Sequence, residues 1–215
     1  MPSASSSSKN QPSRHDMSVI LVTGSYDHEI RFWEAWSGIC SRTIPRESGQ
    51  VNRLAISHDK RFLAAAIHKK LHIYDIASTS NEPLVVFEGH SNNITCIAFN
   101  IEGKWIVSGG EDGTIKIWDL RNPAAPARVY ENSCGVNDIA IHPNQGELIT
   151  CDQGGSIKQW DLSDNICSHE LTPAGDVPMR SISLATDGSC LVAGNNKASL
   201  IIIFALLLLT SDNPT

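Results

Sequence analysis

The sequence predicts an all-β fold, a β-propeller of repeated small sheets, and two periodicities carry that prediction. Four segments align without gaps, Val51–Ile56, Ile94–Phe99, Val136–Ile141 and Met179–Leu184, and they recur every 42 or 43 residues. Each is followed by a turn, such as His58-Asp59-Lys60 or Thr186-Asp187-Gly188, and then by another short apolar run. A second register ends on aromatic residues: Ile30–Trp33, Leu71–Tyr74, Ile115–Trp118 and Ile157–Trp160, spaced 41 to 44 residues apart. Most of these runs alternate as half-buried strands do. Strands of about four to eight residues between turn signals exclude a helical repeat. A period near 42 residues is that of a propeller blade, each blade a four-stranded antiparallel sheet.

The elements then fall in order. Residues 1–17 are rich in Ser, Pro and polar side chains without an apolar core, so they read as a disordered leader segment and not a secretory signal. Val19 to Ile44 read as three strands of a blade that lacks its first, and such a strand is commonly supplied by the far end of a closed ring. Blades continue across 18–197. The fifth repeat starts well, from Met179 to Gly194 and Asn195-Asn196-Lys197, and then gives way to an apolar run over 200–209 and a short polar end, Ser211 to Thr215.

Extending the aromatic register from Trp160 lands on Ile202 or Ile203, where no Trp, Tyr or Asp stands. Three readings of 198–215 compete: a final strand between blades, a membrane-dipping segment, or a divergent, non-homologous tail from alternative splicing, a retained intron or a mispredicted gene model, the last being preferred. Ten apolar residues reach about 15 Å as a helix, half of the hydrocarbon core of roughly 30 Å, so the run does not span a bilayer. A stack with open sheet faces beside an apolar run is expected to associate unless something covers them.

Three of the four aromatic positions continue into Asp, at Tyr74-Asp75, Trp118-Asp119 and Trp160-Asp161, and with the period this resembles the WD-repeat proteins. The third repeat is the most complete, with Gly89-His90 before its first strand, Ser108 in its second, Asp112 in the next turn and Trp118 in its third. The resemblance implies that His90, Ser108, Asp112 and Trp118 form a hydrogen-bonded chain. The physical need is plain: a buried Trp or His must find acceptors for its ring N–H, and a hydroxyl or a turn Asp can supply them. The first repeat keeps Thr23, Asp27 and Trp33. The fourth keeps Thr150 and Trp160 but has Gly154 in place of Asp. The second, with Ala64, His68 and Tyr74, has lost the network.

Local sequences say more than the repeat. The stretches Gly24–Thr43, Ser108–Arg121 and Ile141–Ile149, with Tyr-Asp-His-x-x-Arg-Phe-Trp and His-Pro-Asn-Gln among them, resemble the small WD-repeat subunit of the target-of-rapamycin (TOR) kinase complexes, the G-protein-β-subunit-like family. The resemblance covers Val19 to Lys197 and departs from Ala198 onward. It implies a closed ring of seven blades, which at 42 residues each needs roughly 290 residues. This chain is therefore expected to hold about four blades of seven, as an open or incomplete ring. It also implies a non-catalytic scaffold that docks on and stabilises the TOR kinase domain, with the kinase and the other complex subunits as partners. Residence in the cytoplasm, or peripherally on endosomal or vacuolar/lysosomal membranes through the complex, follows from the same resemblance.

Composition excludes several alternatives. Seventeen Lys and Arg against 23 Asp and Glu give a net charge of −6, without the basic footprint of a nucleic-acid binder or a polybasic membrane anchor. The six cysteines form no C-x-x-C pair, and buried reduced thiols are preferred over disulfides. The eight histidines have no metal spacing, and no nucleophile elbow, P-loop or dinucleotide motif occurs. Gly109-Gly110-Glu111-Asp112-Gly113 reads as a strand-to-strand turn and not a phosphate cradle. No catalytic residue, metal, cofactor or small-molecule substrate is therefore expected. Trp118-Asp119-Leu120-Arg121 also resembles the box by which WD-repeat substrate receptors meet cullin ubiquitin ligases, making Arg121 a possible partner contact. Such receptors pair two boxes, and the position after Trp160-Asp161-Leu162 is Ser163, which favours a solvated turn. A generic WD-repeat scaffold is the remaining alternative.

Overall fold

The computed structural model describes residues 19–45 and 49–204, and every element in it is a β-strand. The Ser-rich segment 1–17 and the run from 205 onward lie outside the described residues. Eighteen strands form five antiparallel sheets. The first sheet has three: β1 (Ile20–Gly24), β2 (Glu29–Glu34) and β3 (Cys40–Pro45). Three four-stranded sheets follow: β4 (Val51–Ile56) to β7 (Val85–Glu88) through β5 (Phe62–Ile67) and β6 (Lys70–Asp75); β8 (Ile94–Phe99) to β11 (Arg128–Glu131) through β9 (Trp105–Gly110) and β10 (Thr114–Asp119); and β12 (Val136–Ile141) to β15 (Ile166–Leu171) through β13 (Glu147–Asp152) and β14 (Ile157–Asp161). The last sheet is β16 (Met179–Leu184), β17 (Cys190–Asn195) and β18 (Leu200–Phe204). The four segments of the first periodicity are the strands β4, β8, β12 and β16, residue for residue.

Consecutive sheets approach one another most closely through these first strands, which therefore gather at the axis while the fourth strands form the rim. This is part of a β-propeller with three complete blades and two three-stranded ones. The first sheet, β1 to β3, matches the second, third and fourth strands of a blade. The last, β16 to β18, matches the first three.

The core lies between sheets and not within one. Ile30, Phe32 and Ile44 of the first sheet meet Val51, Leu63, Ala65 and Tyr74 of the second. Ile73 and Phe87 meet Ile94, Ile106 and Trp118, and the same pattern recurs at Trp160 and at Ile203. Each of the three four-stranded blades is therefore covered on both faces by its neighbours. That corrects the half-buried alternation expected from the sequence, because β5, β6, β9, β10, β13 and β14 are buried along nearly their whole length.

Two further differences arise at the repeats' margins. The beginning of the apolar run is a strand: β18 pairs antiparallel with β17, and Ile203 lies opposite Leu191 just as Trp118 lies opposite Ile106 and Trp160 opposite Leu148. Ile203 is buried in the aromatic's register position, so an aliphatic side chain fills that place in the fifth sheet. In the second repeat, Ala65 and not Ala64 stands where Ser108 stands in the third. The β5–β6 hairpin is one residue shorter than β9–β10, so Ala65 pairs with His72 as Ser108 pairs with Lys116.

The cysteines are free; Cys96 and Cys151 are buried, while Cys40 and Cys167 on rim strands are exposed. Burial pushes the Cys96 thiol up to about 12, so it is a small apolar core group and not a nucleophile.

Candidate functional site

Antiparallel pairing sets up two loop faces. The turns between second and third strands, and the loops from one blade to the next, open on one, called here the upper face. The turns between first and second and between third and fourth strands open on the other, the lower face. The residues singled out by the repeat pattern lie inside the blades, from the aromatic near the lower end of each third strand to the turns and loops of the upper face.

In the third blade the indole Nε1 of Trp118 donates to Ser108 Oγ at 2.8 Å, and Ser108 Oγ is 2.8 Å from His90 Nε2. His90 Nδ1 is 3.0 Å from Asp112 Oδ2. Asp112 also accepts from the backbone N–H of Ser91 and of Thr114. The carboxylate of Asp112 can only accept, so the proton of a neutral imidazole lies on Nδ1, and Nε2 then accepts from the hydroxyl of Ser108, whose oxygen accepts from Trp118. The chain fastens the β7–β8 loop to the β9–β10 turn and to the centre of the blade.

Its electrostatics agree with that assignment. Burial holds the His90 pKa below its ordinary value, outweighing the pull of Asp112, and Lys116 acts in the same direction as burial. Burial alone pushes Asp112 up, but the N–H donors of Ser91 and Thr114 and the neighbouring His90 more than offset it, so it lies below the usual carboxylate range. Both shifts have the same sign for stability. The unfolded chain binds a proton at this histidine near pH 6.5 while the folded chain resists it, so stability is lost as the pH falls through that region. The stability advantage of the wild type over His90→Gln is expected to narrow between pH 7 and pH 5 in thermal melts. An advantage that stays constant or grows on acidification contradicts the neutral assignment.

The other blades hold shorter versions. Trp33 Nε1 donates to Thr23 Oγ1 at 2.8 Å, and Asp27 is held by Arg31 and by the backbone N–H of Glu29. Trp160 Nε1 donates to Thr150 Oγ1 at 2.9 Å. Where the fourth blade has Gly154 in place of Asp, a different set takes over. Lys158 Nζ donates to Asn132 Oδ1 at 2.7 Å, and Asn132 Nδ2 donates to Asp152 Oδ2 at 3.0 Å, again tying an inter-blade loop to a turn.

Sequence reasoning missed the residues that join blade to blade at the axis. Each first strand carries a β-bulge at its second residue, beside Asn52, Thr95, Asn137 and Arg180. The extra residue aims its side chain at the next blade. Asn52 Nδ2 donates to the Ile94 carbonyl at 3.1 Å, the Thr95 hydroxyl reaches the Val136 carbonyl, and Asn137 Nδ2 donates to the Met179 carbonyl at 2.6 Å. Arg180 instead turns back to Asn196. Asp138, buried, accepts from Arg53 at 3.1 Å and from the backbone N–H of Ile182 at 3.1 Å, and so links the second, fourth and fifth sheets. The signal for these was present as the Asn or Thr one residue into the first strands β4, β8 and β12.

Arg121 stands apart from the blade networks, on a lower-face turn. Its guanidinium is bound by Asp119 through Nε at 2.9 Å and Nη2 at 2.7 Å, and this pairing holds the Asp119 carboxyl down at about 2. Among the described residues no group of three or more His, Cys, Asp or Glu side chains is placed to hold a metal, and no helix is long and apolar enough to cross a membrane. What the arrangement offers is a stack of rigid sheets with two broad loop faces.

Comparison with known proteins gives this architecture a family setting. The family described as "WD domain, G-beta repeat" matches residues 81–119 and 125–161. The chain is 56% identical over 188 residues to the target of rapamycin complex subunit wat1 of Schizosaccharomyces pombe, covering 87% of this chain and 59% of that protein. It is 51% identical over 183 residues to the target of rapamycin complex subunit LST8 of Saccharomyces cerevisiae, covering 85% and 60%. It is 47% identical over 182 residues to LST8-1 of Arabidopsis thaliana, covering 85% and 59%. The chain thus spans about three-fifths of the length of the curated relatives it matches.

Proposed function

Because this chain belongs to the WD-repeat family that holds those target of rapamycin complex subunits, we propose that it is a non-catalytic subunit of a TOR kinase complex. In this reading it docks on the kinase domain and stabilises it, in nutrient and growth signalling. It resides in the cytoplasm and reaches endosomal or vacuolar/lysosomal membranes only as part of the complex. The observation that carries the reading is the reach of the identity: 56% over 188 residues extends far beyond the Trp, Asp and Gly positions that any WD repeat needs. The fold suits the role. Sheets packed face to face present loops that are ordered before binding, so little conformational entropy is lost on association.

The test is co-purification from cells expressing the tagged full chain. TOR kinase is expected in the eluate, in equal amount for the wild type and for Arg121→Ala, since Arg121 is already paired with Asp119. Recovery of a cullin adaptor that is lost with Arg121→Ala would replace this reading with that of a ubiquitin-ligase substrate receptor. Recovery of neither would leave a WD-repeat scaffold with other partners.

A further inference from the structure

The β10–β11 loop is longer than its place in the blade requires, and it carries a proline spacing found nowhere else in the chain. Five residues, 35–39, turn the corresponding hairpin of the first blade and four, 162–165, that of the fourth, whereas the third blade uses eight, 120–127. Of the ten prolines only Pro123 and Pro126 stand three apart, and Arg128 follows two residues later, giving Pro123-Ala124-Ala125-Pro126-Ala127-Arg128. Both ends of the loop are fastened to the blade, the Leu120 N–H to the Lys104 carbonyl at 3.0 Å and the Ala127 N–H to the Ile117 carbonyl at 2.7 Å. Among the described residues no hydrogen bond ties Pro123, Ala124, Ala125 or Pro126 to a strand. Every residue from Arg121 to Arg128 is exposed except Pro126, which is partly covered. Arg121 is held by Asp119, but Arg128, the first residue of the rim strand β11, has no acidic partner among the described residues.

These features fit a polyproline II ligand. That helix has three residues per turn and a rise of about 3.1 Å per residue, so Pro123 and Pro126 lie in one row, about 9 Å apart. Asn122, Ala125 and Arg128 form the adjacent row, and Ala124 and Ala127 fall on the third, away from both. One side of the segment is therefore two Xaa-Pro steps followed by a guanidinium. In the free protein the segment is bent by a turn at Pro123 and Ala124. Little has to change to straighten it. Ring closure fixes φ of both prolines near the polyproline II value, and a following proline restricts Asn122 and Ala125 to extended conformations. Rotating ψ of Pro123 and the dihedrals of Ala124 undoes the turn, and from Arg128 the chain is already extended in β11.

We propose that residues 122–128 are a docking site for a domain of the SH3 type, whose aromatic-lined groove takes the two Xaa-Pro steps and ends in an acidic pocket for Arg128. The loop hangs from a rim strand, so such a domain reaches it from outside the blades. A polyproline II segment presents nearly the same surface in either direction, and the cation decides which way it lies. With Arg121 locked on Asp119, Arg128 is that cation. The absence of adjacent prolines in the loop sets it apart from the proline runs that WW and EVH1 grooves take. The site stands independently of the kinase-subunit reading.

The experiment titrates the purified full chain against individually purified SH3 domains of the same proteome, with WW and EVH1 domains in parallel, and follows binding by fluorescence anisotropy. At least one SH3 domain is expected to bind saturably and to be displaced by a synthetic peptide of residues 120–130. Pro123→Ala with Pro126→Ala, and separately Arg128→Glu, should each weaken that binding about tenfold or more. Inserting one alanine between Ala124 and Ala125, which breaks the three-residue spacing and leaves both prolines in place, should do the same. Ala124→Gln, on the row facing away, should change it less than about twofold. All of these changes fall on an exposed loop, and the variants should melt with the wild type. Binding by no SH3 domain, binding only by a WW or EVH1 domain, or SH3 binding that survives the loss of both prolines or the insertion overturns the site. SH3 binding that survives Arg128→Glu overturns the acidic pocket and with it the direction of docking.

Discussion

Trp118→Ala is expected to cost about 3–5 kcal/mol of unfolding free energy, read as the change in urea or thermal midpoint of the full chain. The indole is buried between the second and third blades, with its ring centroid 5.1 Å from that of Phe87 and its body against Ile94 and Ile106. Removing it empties a space bounded by two rigid sheets, neither of which can close over the gap without dragging its own strands, so the cavity persists and the cost stays near the top of the range for an aromatic. It also takes away the donor to Ser108, whose oxygen is then left buried without that hydrogen bond. Trp118→Phe separates the two contributions. It keeps most of the packing and loses the indole N–H, and a loss of about 1 kcal/mol is expected from the hydrogen bond. If Trp118→Ala melts within experimental error of the wild type, the side chain is not the inter-blade plug described here.

Much of this was readable from the chain itself, because a repeat states the same packing problem several times over. The four first strands follow from the 42-residue period, and the partners of Trp33, Trp118 and Trp160 follow from a buried indole's need for an acceptor. Thr23, Ser108 and Thr150 occupy one place in three blades. Four features escaped for physical reasons. In a propeller both faces of a blade are buried by neighbours, so the strands need not alternate, and Ala64-Ala65-Ala66 is a core strand despite having no period. Counting from the aromatic also assumes equal hairpins, which the shorter β5–β6 turn does not honour. The start of the apolar run looked foreign because it has no Trp-Asp, yet Ile203 keeps the register by burial alone. The lower face could not be read at all, since exposure belongs to the fold and not to the residue: Leu84 and Leu71 are the same side chain in sequence, one exposed and one buried.

Asp138→Ala is expected to cost about 2–3 kcal/mol, although the residue belongs to none of the Trp-centred networks. Its carboxylate lies at the axis, where the bulge in β12 turns it away from its own strand. One oxygen accepts from Arg53, two blades back, and the other from the backbone N–H of Ile182 in the following blade. Loss of the side chain leaves that N–H buried without its acceptor, the more costly half of the change, since Arg53 is half-exposed and water can take over its guanidinium. The two halves separate in a double-mutant cycle. Arg53→Ala alone should cost under about 1 kcal/mol, and its coupling to Asp138→Ala should be of that order. Asp138→Asn keeps an oxygen for Ile182 and should recover more than half of the loss. Because the linkage joins three sheets without passing through their cores, its removal should loosen the fourth and fifth blades against each other before either unfolds. In hydrogen exchange, the β16 amides should lose protection ahead of those in β13. A variant whose β16 protection is unchanged would place the joining of these blades entirely in the apolar contacts among Ile149, Met179 and Leu191.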